Sequence, residues 1–213
     1  MTPGTPWGIR VDYGDRSLAE DDLLSGWRDQ FAAWFAEAVE AGVPEPNAMV
    51  LATADRAGRP SARTVLLREY DERGLVFFTN YLSRKGTELA ANPYASVVFP
   101  WYPVHRQIVV CGGVTRIDRG ETEAYFATRP RESQLGAWAS AQSTVVPNRA
   151  AIDAAYAAVV ARFPNGVPAP PHWGGFRLAP DTVEFWQGRT GRLHDRLRFR
   201  RDEEGWVVER LAP

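Results

Sequence analysis

The chain has 213 residues, 45% of them hydrophobic and 12% aromatic, with eight tryptophans, which is enough for one sizeable core or at most two small ones. Lys and Arg number 25 against 26 Asp and Glu, so the formal charge of -1 gives no global field toward nucleic acid or an anionic membrane, and any basic site must be local. A single cysteine, Cys111, excludes an internal disulfide framework and a thiolate metal cluster and points to a reducing compartment.

The N-terminus, MTPGTPWGIR, lacks the apolar run of a signal peptide, and no segment reaches the roughly 18 consecutive apolar residues of a membrane span. The expectation is a soluble cytoplasmic protein: a flexible tail over residues 1–16, then a single domain over 17–213. From Leu23, the residues Leu24, Trp27, Phe31, Trp34, Phe35, Ala38 and Val39 recur at helical spacing until Gly42 and Pro44 stop the pattern. This predicts an amphipathic helix whose aromatic stripe packs into the core. The period then changes. Ala48 to Thr53, Ala62 to Arg68, Gly74 to Thr79 and Ser96 to Phe99 are short β-branched and aromatic runs separated by the turn signals DRAGRP and YDERG. Gln107 to Ile117 continues the sheet, and FRLAP, TVEFW, RLRFRR and WVVERL supply further strands. Antiparallel strands in such number predict a mainly β fold, a closed or split barrel with flanking helices.

The helical interruptions carry chemistry. Ser83 is a predicted N-cap for RKGTELAAN, which places Arg84 and Lys85 in a first turn where the helix dipole disfavours cations. A phosphate there would reverse the penalty, and Arg63 on the preceding strand could reach it. A solvated charge pair accounts for the same pattern equally well. In YFATRPRESQLGAW, Tyr125, Arg129 and Ser133 lie four apart, with a helix expected to end at Pro130 and a loop to follow. They could converge on a second phosphate or amount to a surface arginine beside a helix break. Asn148 to Phe163 reads as an alanine-rich helix used only for packing. His105, His172 and His194 lack metal-ligand spacing, and no nucleophile elbow, phosphate-binding loop or dinucleotide fingerprint is present. If RLHDR is a strand, Arg192, His194 and Arg196 share one polar face.

These residues resemble a known family. VEFWQ, four residues and then RLHDR, over Val183 to Arg196, is similar to the signature of pyridoxamine 5'-phosphate oxidases. It is joined in order by RTVLLR at Arg63 to Arg68, FFTNYLSRKG at Phe77 to Gly86, FPWYPVHRQ at Phe99 to Gln107, RPRESQLGAWAS at Arg129 to Ser140, Gln142 with Ser143, and the terminal ERLAP. The resemblance implies a homodimer of antiparallel split β-barrels with FMN in clefts between subunits. It also implies oxidation of pyridoxamine or pyridoxine 5'-phosphate to pyridoxal 5'-phosphate, with O2 reduced to hydrogen peroxide.

Residue by residue, the resemblance assigns the FMN phosphate and ribityl chain to Arg63, Arg84, Lys85, Gln142 and Ser143. The flavin goes to Leu66, Phe78, Thr79, Gln107, Trp186 and Arg196, with Thr64, Val65, Leu67 and Arg68 completing the RTVLLR cofactor segment. Arg68, Tyr125, Arg129 and Ser133 take the substrate phosphate. Arg192, Leu193 and His194 lie at the pyridine ring, with Arg192 and His194 in catalytic roles, and Arg10 and Tyr13 of IRVDY close over the substrate. Position 68 departs from the family, which commonly has lysine there; a guanidinium is wider and planar. The two rival readings are a related flavin oxidase acting on another ring system, as in phenazine synthesis, and a flavin or pyridoxal phosphate binding protein without turnover.

Overall fold

Residues 12–213 are described by the computed structural model; Arg10, assigned to the substrate from sequence, lies outside them. The chain forms two compact units. One comprises residues up to Pro46, Val98–Val110 and Thr182–Pro213, and the other comprises Asn47–Val97 and Cys111–Asp181.

In the first unit, helix α1 spans Trp27–Glu40 and buries Trp27, Phe31, Trp34 and Ala38, spaced for one face. It starts later than Leu23. Gly26 is extended at φ -155, and the buried Gln30 side chain accepts the Leu24 backbone N–H at 2.9 Å, so the preceding residues form an entry segment. Phe31 meets Phe99 edge-on at 5.2 Å and Trp34 meets Phe185 at 5.2 Å, which converts the aromatic stripe into core. Strands β8 (Asp195–Arg201) and β9 (Trp206–Arg210) pair antiparallel, with Leu197 and Phe199 inward and Arg198 and Arg200 both paired to Glu209 on the other face.

In the second unit, β1 (Ala48–Ala54) and β2 (Pro60–Leu66) form a hairpin whose turn is held by Asp55, which accepts the N–H groups of Ala57 and Arg59. The run expected as one strand from Ala62 to Arg68 instead changes partner. Leu67 N–H bonds to Asn47 O at 2.8 Å, but Arg68 N–H bonds to Val76 O at 2.9 Å, beginning a short strand β3 (Glu69–Asp71) against β4 (Gly74–Asn80). Helix α2 (Arg84–Ala91) is capped by Ser83, whose hydroxyl accepts Gly86 N–H. Gly86 is required there, since a Cβ would lie 2.3 Å from Tyr81 O. Helices α3 (Arg119–Thr128), α4 (Arg131–Ala139) and α5 (Arg149–Arg162) also belong to this unit.

Strands β5 (Tyr94–Trp101), β6 (Arg106–Arg116) and β7 (Trp173–Gln187) contribute residues to both units. The segments FRLAP and TVEFW are one continuous strand, β7. Strand order is β2-β1-β5-β6-β7-β4-β3, with β8 beside β7 and β9 beside β8. Among the described residues no helix is long and apolar enough to cross a membrane, and no group of acidic, histidine and cysteine side chains could hold a metal ion.

Candidate active site

A pocket of about 450 Å3 opens in the second unit. Thr64, Val65 and Leu66 at the end of β2, the following Arg68, and Phe78, Thr79 and Asn80 of β4 line it on the sheet side. Lys85 of α2, Tyr125 at the end of α3, Ser133, Gly136 and Ala137 of α4, then Arg129, Ser140, Gln142 and Trp173 complete it. The helix break is not followed by a loop. Arg129 is extended (φ -72, ψ 147), as a residue before proline must be, and Pro130 then caps a second helix, so Ser133 sits in the first turn of α4. Two helices meeting at a proline bring Tyr125, Arg129 and Ser133 to one wall.

Aromatic rings build the floor. Phe78 stacks on Tyr125 at 4.0 Å and on Trp173 at 5.3 Å. The Arg129 guanidinium lies 4.5 Å from the Trp173 ring centre, and its Nη1 is buried without a hydrogen-bond partner. Burial lowers the Arg129 pKa, and the nearby Arg68 charge lowers it further, against an opposing effect of Tyr125. A buried guanidinium nitrogen without an acceptor is costly unless an anion arrives. Arg68 itself is exposed, with its guanidinium 5.9 Å from the Tyr125 ring.

At the other side, Lys85 is only 8% exposed, and its Nζ lies 3.2 Å from both Thr79 Oγ1 and Gln142 Oε1, neither of them a carboxylate. Burial, and secondarily the charge of Arg63, lowers its pKa. Arg63 and Arg84 do not line the pocket; both turn to Glu88 of α2, at 3.3 Å and 2.9 Å. Leu67 is buried away from the pocket, and Ser143 is exposed with φ at 73°.

The remaining assigned residues lie in the first unit. Tyr13 packs its ring against His105 at 4.8 Å, His194 at 5.6 Å and Trp186 at 5.9 Å, and His194 lies 4.6 Å from Trp186. His194 Nδ1 accepts Arg189 N–H at 3.1 Å, which leaves the proton of the neutral ring on Nε2. Burial, then the charge of Arg192, lowers its pKa and favours that neutral form. RLHDR is not a strand over its length. Gly191 (φ 64) and Arg192 (φ 63) make a turn, and β8 begins only at Asp195, so period-2 alternation does not relate Arg192 to His194. Arg192 and Leu193 are exposed. Arg196 forms a two-pronged pair with Glu184 at 2.7 and 3.0 Å, and Gln107 is half-buried on β6.

Asp195 fixes this turn from below. Its buried carboxylate accepts Leu18 N–H at 3.0 Å, Arg210 Nη1 at 2.8 Å and Arg189 Nη1 at 3.2 Å. Burial alone would raise its pKa, but these donors lower it. A depressed folded pKa stabilises the fold above the usual aspartate range and loses that contribution as pH falls. Asp195→Asn should therefore lower stability by about 1–3 kcal/mol near neutrality. Tm profiles of variant and wild type should converge below about pH 4.

Sequence reasoning missed Trp173 and Glu88. Trp173 sits in PPHWGG, which reads as loop, and nothing local marks its stacking on Phe78. Glu88 looks like a solvated helix residue until its partners on β1 and β2 are seen.

Comparison with known proteins gives concordant results. The family model described as pyridoxamine 5'-phosphate oxidase matches residues 35–163, and that of the pyridoxine 5'-phosphate oxidase C-terminal dimerisation region matches residues 173–213. The pyridoxine/pyridoxamine 5'-phosphate oxidase of Salinispora arenicola is 66% identical over 212 residues, covering 98% of this chain and 96% of that protein. That of Frankia alni is 58% identical, covering 98% and 89%. Among solved structures, PhzG from Burkholderia lata 383, in complex with tetrahydrophenazine-1-carboxylic acid, superposes with a TM-score of 0.88 at 35% identity, covering 94% of this chain and 100% of that one. A pyridoxamine 5'-phosphate oxidase-related, FMN binding protein from Nostoc punctiforme gives 0.70 at 20% identity, covering 90% and 100%, a likeness of fold alone. These likenesses bear out the mainly β, antiparallel split-barrel fold class expected from the sequence.

Proposed function

The chain belongs to the pyridoxamine 5'-phosphate oxidase family, and from that premise we propose that it oxidises pyridoxamine and pyridoxine 5'-phosphate to pyridoxal 5'-phosphate with FMN and O2. The observation that carries the reading is the buried, unpartnered Nη1 of Arg129 beside Tyr125 and Ser133 in the pocket. A phosphate monoester supplies the acceptors this guanidinium lacks, and the hydroxyls of Tyr125 and Ser133 are neutral donors suited to its other oxygens. Arg68 adds a second charge at the rim.

The same pocket suits FMN. Lys85, Thr79 and Gln142 offer an ammonium, a hydroxyl and an amide where a phosphorylated polar chain would lie, while Leu66 and Phe78 offer apolar surface to the flavin ring. Arg63, Arg84 and Ser143 complete the phosphate end in this assignment. Gln107, Trp186 and Arg196 are assigned to the flavin, and Arg192, Leu193 and His194 to the substrate ring. The match to the dimerisation-region model favours a homodimer. FMN held in this pocket would supply the two-electron redox chemistry that converts substrate C4' to the aldehyde, with O2 reduced to hydrogen peroxide overall and, for the amine substrate, water taken up and ammonia released. The chain's own residues bind, orient and exclude water, so no nucleophilic triad is needed.

The 35% identity to PhzG favours one second reading, oxidation of a carboxylated tricyclic ring. A substrate carboxylate can also satisfy Arg129, but a phosphate engages the three donors together. One assay separates the readings. The purified yellow protein should form aldehyde and peroxide from pyridoxamine 5'-phosphate and show far lower kcat/KM with unphosphorylated pyridoxamine. Turnover of tetrahydrophenazine-1-carboxylic acid without turnover of pyridoxamine 5'-phosphate would reverse the assignment.

A further inference from the structure

Glu88 is the least expected residue near the site. It is 5% exposed, on the inner face of α2, and its carboxylate accepts from Thr53 of β1, Ser61 and Arg63 of β2, and Arg84 one turn before it. Burial alone would raise its pKa. The hydrogen bonds from Ser61, Thr53 and Arg84 and the charge of Arg63 instead hold it down at about 2, so it is ionised throughout the physiological range.

A buried carboxylate with so many donors is an organising charge. Arg63 is locked between it, Leu51 O and the hydroxyls of Thr53 and Ser61. Arg84, whose side chain is 62% exposed, would otherwise sample many rotamers, and its Nε bond to Glu88 removes that freedom. The first turn of helix α2 is packed closely against the preceding chain, since Gly86 sits directly against Tyr81 O. Arg84 binds Glu88 through Nε alone, so its Nη groups remain for another acceptor, whereas the Nη groups of Arg63 are taken up within the cluster and only its Nε–H remains.

We infer that Glu88 is a positioning residue for the cofactor phosphate: it orients Arg63 and Arg84 toward that group and trims the charge of the receiving cluster. Arg63, Arg84 and Lys85 together with Glu88 carry a net charge of +2, which matches a phosphate monoester carrying about -1.5 to -2. The inference rests on the FMN reading above and extends it to a residue that does not itself touch the ligand.

Two physical effects oppose each other when Glu88 is neutralised, and their balance is the test. Added positive charge alone would tighten phosphate binding, whereas lost orientation would loosen it. Apoprotein is titrated with FMN and with riboflavin, which lacks the phosphate, and Tm is recorded on the same samples. Glu88→Gln should weaken FMN on the order of tenfold or more, the value of a charge-assisted hydrogen bond, and leave riboflavin within about twofold. Glu88→Asp should recover part of the loss. Tighter or unchanged FMN binding in Glu88→Gln, or an equal loss for both flavins, overturns the inference. Should Glu88→Gln fail to fold, the Thr53→Val/Ser61→Ala pair keeps the charge but loosens its seat; FMN should again weaken selectively, and unchanged FMN affinity overturns the inference. Wild-type apoprotein that binds neither flavin defeats the cofactor reading itself.

Discussion

Arg129→Met is expected to raise the KM for pyridoxamine 5'-phosphate roughly ten- to a hundredfold, the equivalent of one charge-assisted hydrogen bond, and to leave FMN affinity nearly unchanged. Methionine keeps an unbranched chain of similar reach over Trp173, so the wall should not collapse. The variant also has a signature in the ligand-free protein. Because Arg129 Nη1 is buried without an acceptor, its removal relieves a desolvation cost, and Tm should hold or rise while activity falls. A structural arginine would behave in the opposite way, with Tm falling and KM unmoved. Equal weakening of FMN and substrate would move Arg129 into the cofactor half of the site.

Arg192→Leu should cut kcat/KM by on the order of a hundredfold or more while the visible spectrum of bound flavin stays as it was. Arg192 is exposed in a turn at φ 63, so it has little packing to lose, and the change in stability should stay within about 0.5 kcal/mol. His194→Ala should act in the same direction to a smaller degree, and because Tyr13 and Trp186 lose a ring neighbour its Tm should fall as well. Single-turnover flavin reduction, measured beside Tm and FMN occupancy, separates orientation from stability. Normal reduction in Arg192→Leu would remove it from the catalytic set.

How much of this was legible in the sequence depends on the range of the interaction. The stripe Trp27, Phe31, Trp34 and Ala38 announces a buried helix face because its cause, a period near 3.6, is local. The Ser83 cap and the hairpin turn at Asp55 are local as well. The turn at Gly191 and Arg192 defeats pattern reading, since alternation in RLHDR looks like a strand and only the positive φ values reveal otherwise. β7 was read as two strands because Pro180 looks like punctuation, yet the strand runs straight through it. Trp173 and Glu88 were invisible for a different reason: what gives each its role lies 27 to 95 residues away, at Ser61, Thr53 and Phe78. For the site, local reading yielded two candidate phosphate clusters with ordinary alternatives beside them. The long, ordered resemblance joined them into one assignment, and the pocket brings Lys85 and Arg129 to shared walls.

The change of hydrogen-bond partner at Leu67 and Arg68 has a consequence for how this enzyme could diverge. The consecutive amides of Leu67 and Arg68 are tied to Asn47, just before β1, and to Val76 of β4, so the main chain at position 68 is anchored while its side chain is exposed at the pocket rim. Such a site is permissive: lysine or arginine can be exchanged there without a change in backbone course. Selection can then explore the reach and fork geometry of the cation one substitution at a time, and the arginine found here reads as one such excursion, made where the scaffold tolerates it.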